Sequence, residues 1–224
     1  MYIYGMITGI FEVHLITEPE YQPALFGYIT NLKENNKNLI RPRPTCAHAL
    51  YGDYPVQPML TFMINGSSEM VTSVVKEIET DMQNKNIPII RTKIESMAHN
   101  KGVIDKCYND HYFEFHFKVK INSTKEWNKL VELIVPYGGH LFYNPYSKTL
   151  DPIMTIRSYD SLTELENIYS LLVRILEDNN FYIMELEQEY SVYDSNVDLD
   201  KNWLFKDSPS NFIKELDSKM VFSF

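Results

Sequence analysis

Glutamate and histidine are separated by one residue at two places in the chain, within the repeated pattern Phe-Glu-x-His. The first copy supplies Glu12 and His14, and the second supplies Glu114 and His116. Imidazole titrates near neutral pH, so two histidines can serve as general base and general acid in one reaction, while nearby carboxylates fix their tautomers. The spacing therefore predicts these four residues as catalytic groups.

Further matches occur in the same order in the two halves of the chain. Residues 58–62 read Pro-Met-Leu-Thr-Phe and residues 152–156 read Pro-Ile-Met-Thr-Ile, and each segment follows a histidine, His48 or His140. Ordered self-similarity of this kind is the sequence signature of repeated structural units. The sequence therefore predicts an internal duplication with one Glu-x-His segment in each half.

Each half carries the same succession of predicted elements, namely strand, helix, two strands, helix and strand. Apolar periodicity places them near 11–17, 21–32, 39–43, 59–64, 71–82 and 87–95, and again near 112–121, 127–134, 141–143, 153–156, 165–175 and 181–190. Two capping boxes, which begin at Ser123 and Ser161, predict the starts of the helices in the second half.

This order predicts an α+β fold of two tandem ferredoxin-like (βαββαβ) repeats related by a pseudo-two-fold, with antiparallel sheets and helices on one face. The expected boundaries are 1–104 for the first repeat, 105–110 for a linker and 111–193 for the second repeat. A C-terminal extension would occupy 194–224 and pack across one half.

Alternation along the strands sorts the side chains onto two faces. The apolar members point at the helices, so both Glu-x-His pairs lie on the face away from them. Polar residues on the other strands share that face, and Glu95, Glu185 and Glu189 are among them. If the two faces meet in a cleft between the repeats, four further side chains are predicted to bind substrate: Arg91, Lys93, Lys118 and Glu187. The simpler alternative is that both faces are wet sheet surfaces.

Acid–base catalysis without a metal is the first chemistry this set supports, as a phosphodiesterase-like or other hydrolase reaction on a small anionic or nucleotide-type substrate. In its bilobal plan with one histidine strand per lobe, the chain resembles the two-histidine phosphoesterase superfamily. That family has a hydroxyl residue two positions after each histidine, where this chain has Ile16 and Lys118.

Metal binding is the second chemistry, because Glu-x-His on a strand points both side chains the same way. Two histidines and one carboxylate would suit iron, manganese or zinc in an oxygenase-like enzyme. The segment Gly-Asp-Tyr-Pro-Val-Gln-Pro at 52–58 is similar to one in dioxygenases of the DOPA 4,5-dioxygenase type, with Tyr54 in the place of a ligand. The alternative ligands are His14, His48, His116, His140, Glu12 and Glu114.

A non-catalytic module that binds a metabolite or a protein segment is the third alternative. Over most of its length the chain resembles a group of bacterial and viral proteins of similar size with no assigned activity. The resemblance is carried by residues 11–15, 55–59, 93–95 with 99–100, 112–114, and 192–196 with 199–200 and Trp203. It supports a coherent family and implies no mechanism.

Composition limits the partners and the compartment. The net charge of −9 and the pI of about 5.2 would repel nucleic acid and anionic lipid over most of the surface, so we expect a small-molecule substrate and no bulk nucleic-acid or membrane binding. Cys46 and Cys107 lack the spacing of a disulfide framework or a metal site, and no segment is apolar enough to span a membrane. A soluble, intracellular (cytoplasmic) protein is expected, and the sequence carries no signal for oligomeric state.

Overall fold

The computed structural model of the protein describes residues 6–35, 39–108, 110–149 and 151–201. Strands and helices follow one another in the order strand, helix, strand, strand, helix, strand, and this order occurs twice. The elements are β1 (Thr8–Ile16), α1 (Gln22–Asn35), β2 (Ile40–Ala49), β3 (Val56–Ser67), α2 (Ser68–Asn84), β4 (Arg91–Met97), β5 (Tyr112–Lys120), α3 (Thr124–Ile134), β6 (His140–Tyr143), β7 (Ile153–Ser158), α4 (Leu162–Asp178) and β8 (Tyr182–Asp194).

The strands form one closed barrel with the order β1-β3-β2-β6-β7-β5-β8-β4, and every neighbouring pair is antiparallel. Two pairings join the halves of the chain, which we call the β2–β6 seam and the β4–β8 seam. The sequence suggested two separate sheets that face each other across a cleft. The structure differs because the edge strands of each half pair with those of the other half, which satisfies their backbone hydrogen bonds.

Apolar side chains on the outer face of the barrel pack against the helices. Phe11, Val13 and Leu15 of β1 are fully buried in a cluster that includes residues of α1 and α2. The corresponding residues of β5 are buried in a second cluster with α3 and α4. The fold is therefore mixed α+β, with an antiparallel sheet whose outer face the helices cover and whose inner face lines the barrel.

Serine side chains begin three of the helices, and two of these caps are the ones predicted from sequence. The hydroxyls of Ser67, Ser123 and Ser161 accept hydrogen bonds from backbone N–H groups in the first turns of α2, α3 and α4. The predicted capping boxes are only half formed. At α3, the carboxylate of Glu126 accepts a hydrogen bond from the backbone N–H of Asn122 and not from that of Ser123. At α4, the carboxylate of Glu164 accepts from the Ser158 hydroxyl, and the backbone N–H of Ser161 donates to that hydroxyl.

The sequence predicts neither a disulfide framework nor a membrane-spanning segment. Cys46 and Cys107 are both buried and unbridged. In the described part of the chain, none of the helices has the length and apolar character needed to cross a membrane.

Residues 202–224, which make up most of the predicted C-terminal extension, lie outside the described residues. Residues 195–201 lie at the end of the barrel where β4 begins, and the Ser195 hydroxyl accepts a hydrogen bond from the backbone of Thr92 there.

Candidate functional site

The interior of the barrel contains a cavity of about 250 Å³. Closure of the barrel turns the helix-free faces of both halves into one internal surface, so residues distant in sequence line a common space. The predicted site residues on this lining are Glu12, His14, Arg91, Lys93, Glu114, His116 and Glu187. Lys118, the eighth predicted site residue, is not part of this lining. Its cross-strand partner on β8 is Glu185.

Threonines on neighbouring strands hold one nitrogen of each cavity histidine. His14 Nδ1 lies 2.9 Å from the Thr61 hydroxyl oxygen, and His116 Nδ1 lies 2.6 Å from that of Thr155. Each threonine is the direct cross-strand partner of its histidine, and both threonines are fully buried. The two imidazoles are therefore fixed in the same way, and each presents its Nε2 to the interior.

Carboxylates of the last strand in each half face these Nε2 atoms. His14 Nε2 lies 3.2 Å from Glu95 Oε2, and His116 Nε2 lies 3.4 Å from Glu189 Oε2. The sequence interpretation instead assigned the orienting role to the glutamates of the Glu-x-His pairs. Glu114 does lie 3.5 Å from His116 Nε2, whereas the carboxylate of Glu12 accepts a hydrogen bond from Arg43 at 2.8 Å.

Glu95, His116 and Glu189 form a compact group of potential metal ligands. One ligand atom from each residue lies within 4.8 Å of the others, and the three residues come from β4, β5 and β8. Both carboxylates are almost completely buried, and Glu189 Oε1 has no hydrogen-bond partner among the residues that the structure describes. A buried carboxylate oxygen without a donor is costly unless a proton or a cation reaches it.

The electrostatics of this group show an excess of negative charge around Glu189. Burial and the nearby Glu95 carboxylate raise the pKa of Glu189 to about 8. Burial opposes ionisation of Glu95 as well, but the Lys93 ammonium and the His14 ring lower its pKa to about 2. Burial also opposes protonation of His116, yet Glu114 and Glu189 raise the pKa of that imidazole well above its usual value. A positive charge at His116 therefore partly offsets the carboxylates.

Ion pairs with buried carboxylates occupy the basic side chains of the interior. Lys93 Nζ lies 2.7 Å from Glu95 Oε1 and also contacts the carboxylate of Glu114. Arg91 binds Asp194 and Asp200 with four short hydrogen bonds. Arg91 and Lys93, which the sequence interpretation assigned to substrate, are thus held by protein carboxylates.

Arg157 and Asp200 belong to the same network, and the sequence reading missed both. Arg157 Nη2 lies 2.7 Å from Glu114 Oε1 and 2.8 Å from Asp200 Oδ2. Alternation from Thr155 could have placed Arg157 on the inner face, because the two residues are two positions apart on β7. No local pattern signals the position of Asp200, which follows the last strand.

His48 and His140 lie outside the group of ligand atoms. His48 Nδ1 is 3.2 Å from the Tyr143 hydroxyl. His140 is the cross-strand partner of Thr155, and burial lowers the pKa of its imidazole to about 3, so it is neutral at physiological pH. Of the six alternative metal ligands expected from sequence, only His116 belongs to the compact group.

The fold and this interior define an α+β barrel protein with a buried histidine–carboxylate cluster. No protein-family model matches the chain, and no curated protein matches its sequence.

Among solved structures, the chain is similar to a Fusobacterium nucleatum protein described as a candidate monooxygenase, with 13% identity over 88% of this chain and 96% of that chain and a TM-score of 0.33. It is also similar to a candidate chlorite dismutase, with 9% identity, coverage of 83% and 96%, and a TM-score of 0.29. A third similar structure is that of an anthrone oxidase-like protein, with 11% identity over 87% of this chain and 98% of that chain and a TM-score of 0.27. Likenesses this distant carry no argument about activity.

Proposed function

We propose that this protein is a metal-dependent enzyme that acts on a small molecule inside its barrel, with Glu95, His116 and Glu189 as ligands of iron, manganese or zinc. The observation that carries the proposal is the approach of three ligand atoms from three strands to within 4.8 Å of one another, beside a buried Glu189 oxygen that lacks a hydrogen-bond partner among the described residues. Imidazole and carboxylate together suit these three metals.

The orientation of the histidines supports a ligand role. Metal-binding histidines usually use their second ring nitrogen in a hydrogen bond that fixes the ring and its tautomer. The hydroxyl of Thr155 is placed to accept such a bond from His116 Nδ1, so Nε2, which faces the carboxylates, could bind a metal in exchange for its proton. His14 has the same arrangement with Thr61 and approaches Glu95, so it is placed to become a fourth ligand or to hold Glu95 in position.

The charge of the interior also favours a divalent cation. Glu95 and Glu189 are both buried with carboxylate oxygens within 4.8 Å of each other, and their mutual repulsion contributes to the raised pKa of Glu189. A bound metal would take the place of the protons on Glu189 and His116 and neutralise the carboxylates. When bound, such an ion supplies a Lewis acid and lowers the pKa of a coordinated water. The surrounding side chains would hold the ligands in place and restrict the access of water.

Metal-free acid–base catalysis is the second candidate, and the paired histidines favour it. His14 and His116 line the same cavity, and each is fixed between a threonine and a glutamate. The raised pKa of His116 favours its protonated form, so in this candidate His116 would be the general acid, and the second histidine of the cavity, His14, would fill the remaining role of general base. An anionic substrate would have to compete with protein carboxylates for Arg91 and Lys93.

Elemental analysis after reconstitution separates the two candidates. The purified full chain is incubated with Fe²⁺, Mn²⁺ or Zn²⁺ in separate samples, freed of excess ion and analysed. We expect one ion per chain for at least one metal, and a loss of at least tenfold in occupancy for Glu189→Gln, which keeps the size of the side chain and removes its charge. Glu185→Gln, on the same face of β8 but exposed, is the matched control and should bind normally. No stoichiometric metal under any condition would reject the metal proposal and leave the acid–base alternative.

We also infer that the halves arose by duplication of a ferredoxin-like unit and are related by a pseudo-two-fold, with the boundaries expected from sequence. The set His14, Thr61 and Glu95 has the same strand positions as His116, Thr155 and Glu189, which supports this inference. Superposition of residues 8–97 on 112–194 should place the two sets on one another. Histidines that fall in different registers would contradict it.

A further inference from the structure

One part of the cavity lining is apolar. Ile16, Ala47 and Met59 form a buried hydrophobic cluster, the partly buried Phe142 packs against that cluster, and all four residues line the cavity. We call these four residues the apolar patch. They come from β1, β2, β3 and β6, so the patch is centred near the β2–β6 seam.

Two of the three residues in the metal-ligand group lie on the other side of the barrel. The two seams divide the barrel into two arcs of four strands, so the β2–β6 seam is opposite the β4–β8 seam, where Glu95 and Glu189 lie. His116 and Phe142 both line the cavity, and their rings meet edge to face with centroids 6.1 Å apart, so the ligand group and the apolar patch border one space. An eight-stranded barrel has room inside for side chains and one small ligand.

The charge of the lining disfavours an anionic ligand. Four basic side chains line the cavity, and buried carboxylates hold three of them. The fourth, Arg43, is paired with Glu12, while Glu185 and Glu187 are exposed on β8. An anionic molecule would therefore have to displace a protein carboxylate from its basic partner, whereas a neutral molecule would not.

We propose that the substrate is a neutral molecule with an apolar body of about one aromatic ring and one polar head that can bind a metal. The body would contact the apolar patch, and the head would reach the group formed by Glu95, His116 and Glu189. The contact of the head with a metal rests on the function proposed above, whereas the contact of the body with the patch does not. Phe142 and Met59 would then select the size of the substrate.

Two hydroxamic acids test this proposal because both chelate a metal through the same two oxygens and differ only in ring and methyl group. Zinc-loaded protein is titrated with benzohydroxamic acid and with acetohydroxamic acid in a calorimeter. We expect the aromatic probe to bind at least tenfold more tightly, which corresponds to about 1.4 kcal/mol. Equal affinity, with zinc bound, would overturn the proposal and leave the metal function intact.

Substitutions in the apolar patch test whether it causes the difference in affinity between the two hydroxamic acids. Two single variants are made: Phe142→Ala, and Met59→Gln, whose new side chain is similar in length but polar. Each should reduce the affinity for benzohydroxamic acid at least fivefold. Affinities are compared per zinc-loaded chain, and the affinity for acetohydroxamic acid should fall by less than the affinity for benzohydroxamic acid. Leu186→Ala removes an exposed apolar side chain from the outside of the barrel and should change nothing. An unchanged ratio of affinities in both patch variants would also overturn the proposal.

The contact between the body of the substrate and the apolar patch can also be tested in protein that binds no metal. If the protein takes up no zinc, the proposed metal function fails, and the same protein is titrated with benzyl alcohol and ethanol. A preference of at least tenfold for benzyl alcohol that Phe142→Ala abolishes would support the apolar patch as a binding surface. Equal or undetectable binding of both alcohols would reject it.

Discussion

Asp200 links side chains that are distant in the sequence. Its carboxylate lies 2.7 Å from Arg91 Nη1 and 2.8 Å from Arg157 Nη2, and Arg157 in turn binds Glu114. Burial opposes ionisation of Asp200, but the two guanidinium groups lower its pKa to about 2. This residue therefore holds together the ionic network next to the candidate ligands.

Replacement of Asp200 by Asn should destabilise the protein by about 3 kcal/mol at pH 7, because two buried guanidinium groups lose a charged partner. A carboxylate with a lowered pKa stabilises the fold above its unfolded pKa, and this contribution is lost as the pH falls towards 2. The difference between wild type and variant in urea denaturation should therefore shrink from pH 5 to pH 2. Asp198→Asn, on the same short turn but exposed, is the control. An equal loss in both variants would contradict the role of Asp200.

Glu189 should show the opposite pH dependence in protein freed of metal. Its pKa of about 8 in the fold exceeds the unfolded value, so wild-type stability falls as the pH rises from about 4.5 towards 8. Glu189→Gln removes that loss. We expect the variant to be more stable than wild type at pH 9, by on the order of 2 kcal/mol, and the advantage to disappear near pH 5. Thermal unfolding at both pH values measures this, and an advantage independent of pH would refute the assignment.

Individual elements place the candidate ligands through their registers. The pairing of β4 with β8 is irregular between Ile94 and Glu95, where the structure has a bulge or a similar shift. Such shifts change the direction of side chains next to them. Strand β8 pairs with β4 along one edge and with β5 along the other, so it brings Glu189 close to Glu95 on one side and His116 on the other.

The helix caps act separately from the barrel interior. Ser161 Oγ accepts a hydrogen bond from the backbone N–H of Glu164 at 3.1 Å, at the start of α4. Ser161→Ala should lower the free energy of unfolding by about 1 kcal/mol, because one N–H of the first turn loses its partner. Ser161→Asp keeps an acceptor and should retain most of the stability in urea denaturation. Metal content should not change in either variant, and a loss of metal would indicate that α4 positions the ligands.

The whole molecule depends on closure of the barrel at two seams. Closure brings His14 and His116 into one cavity and buries Glu95 and Glu189, which neither half of the strand order would do alone. A ligand that binds only the closed barrel stabilises it in proportion to the logarithm of its free concentration.

Metal should therefore raise the melting temperature of the protein. At a free Zn²⁺ or Mn²⁺ concentration about 100 times the dissociation constant, the stabilisation should be about 2.7 kcal/mol. Mg²⁺ prefers oxygen ligands in octahedral geometry, so it should have a much smaller effect. Differential scanning fluorimetry of wild type and Glu189→Gln gives the comparison. Equal stabilisation of both proteins would place the metal somewhere else.

Local sequence patterns determined the strands, the helices and the side of each strand that carries polar groups. The alternation through Phe11, Glu12, Val13 and His14 has a period of two, and it depends only on the geometry of a single strand. The caps at Ser123 and Ser161 are equally local. These features could be read without knowledge of which strands become neighbours.

Tertiary structure decided which polar groups meet. The partners of His14 and His116 are Glu95 and Glu189 because the β1–β4 and β5–β8 registers place them together. Closure at the β4–β8 seam then brings Glu95 close to His116 and Glu189, and neighbouring sequence signals neither arrangement. The same reason explains Asp200, whose position comes from a segment after the last strand, and Lys118, which lies outside the cavity lining although it shares a strand face with His116. Charge at a site depends on distance in space, and only the closed barrel fixed those distances.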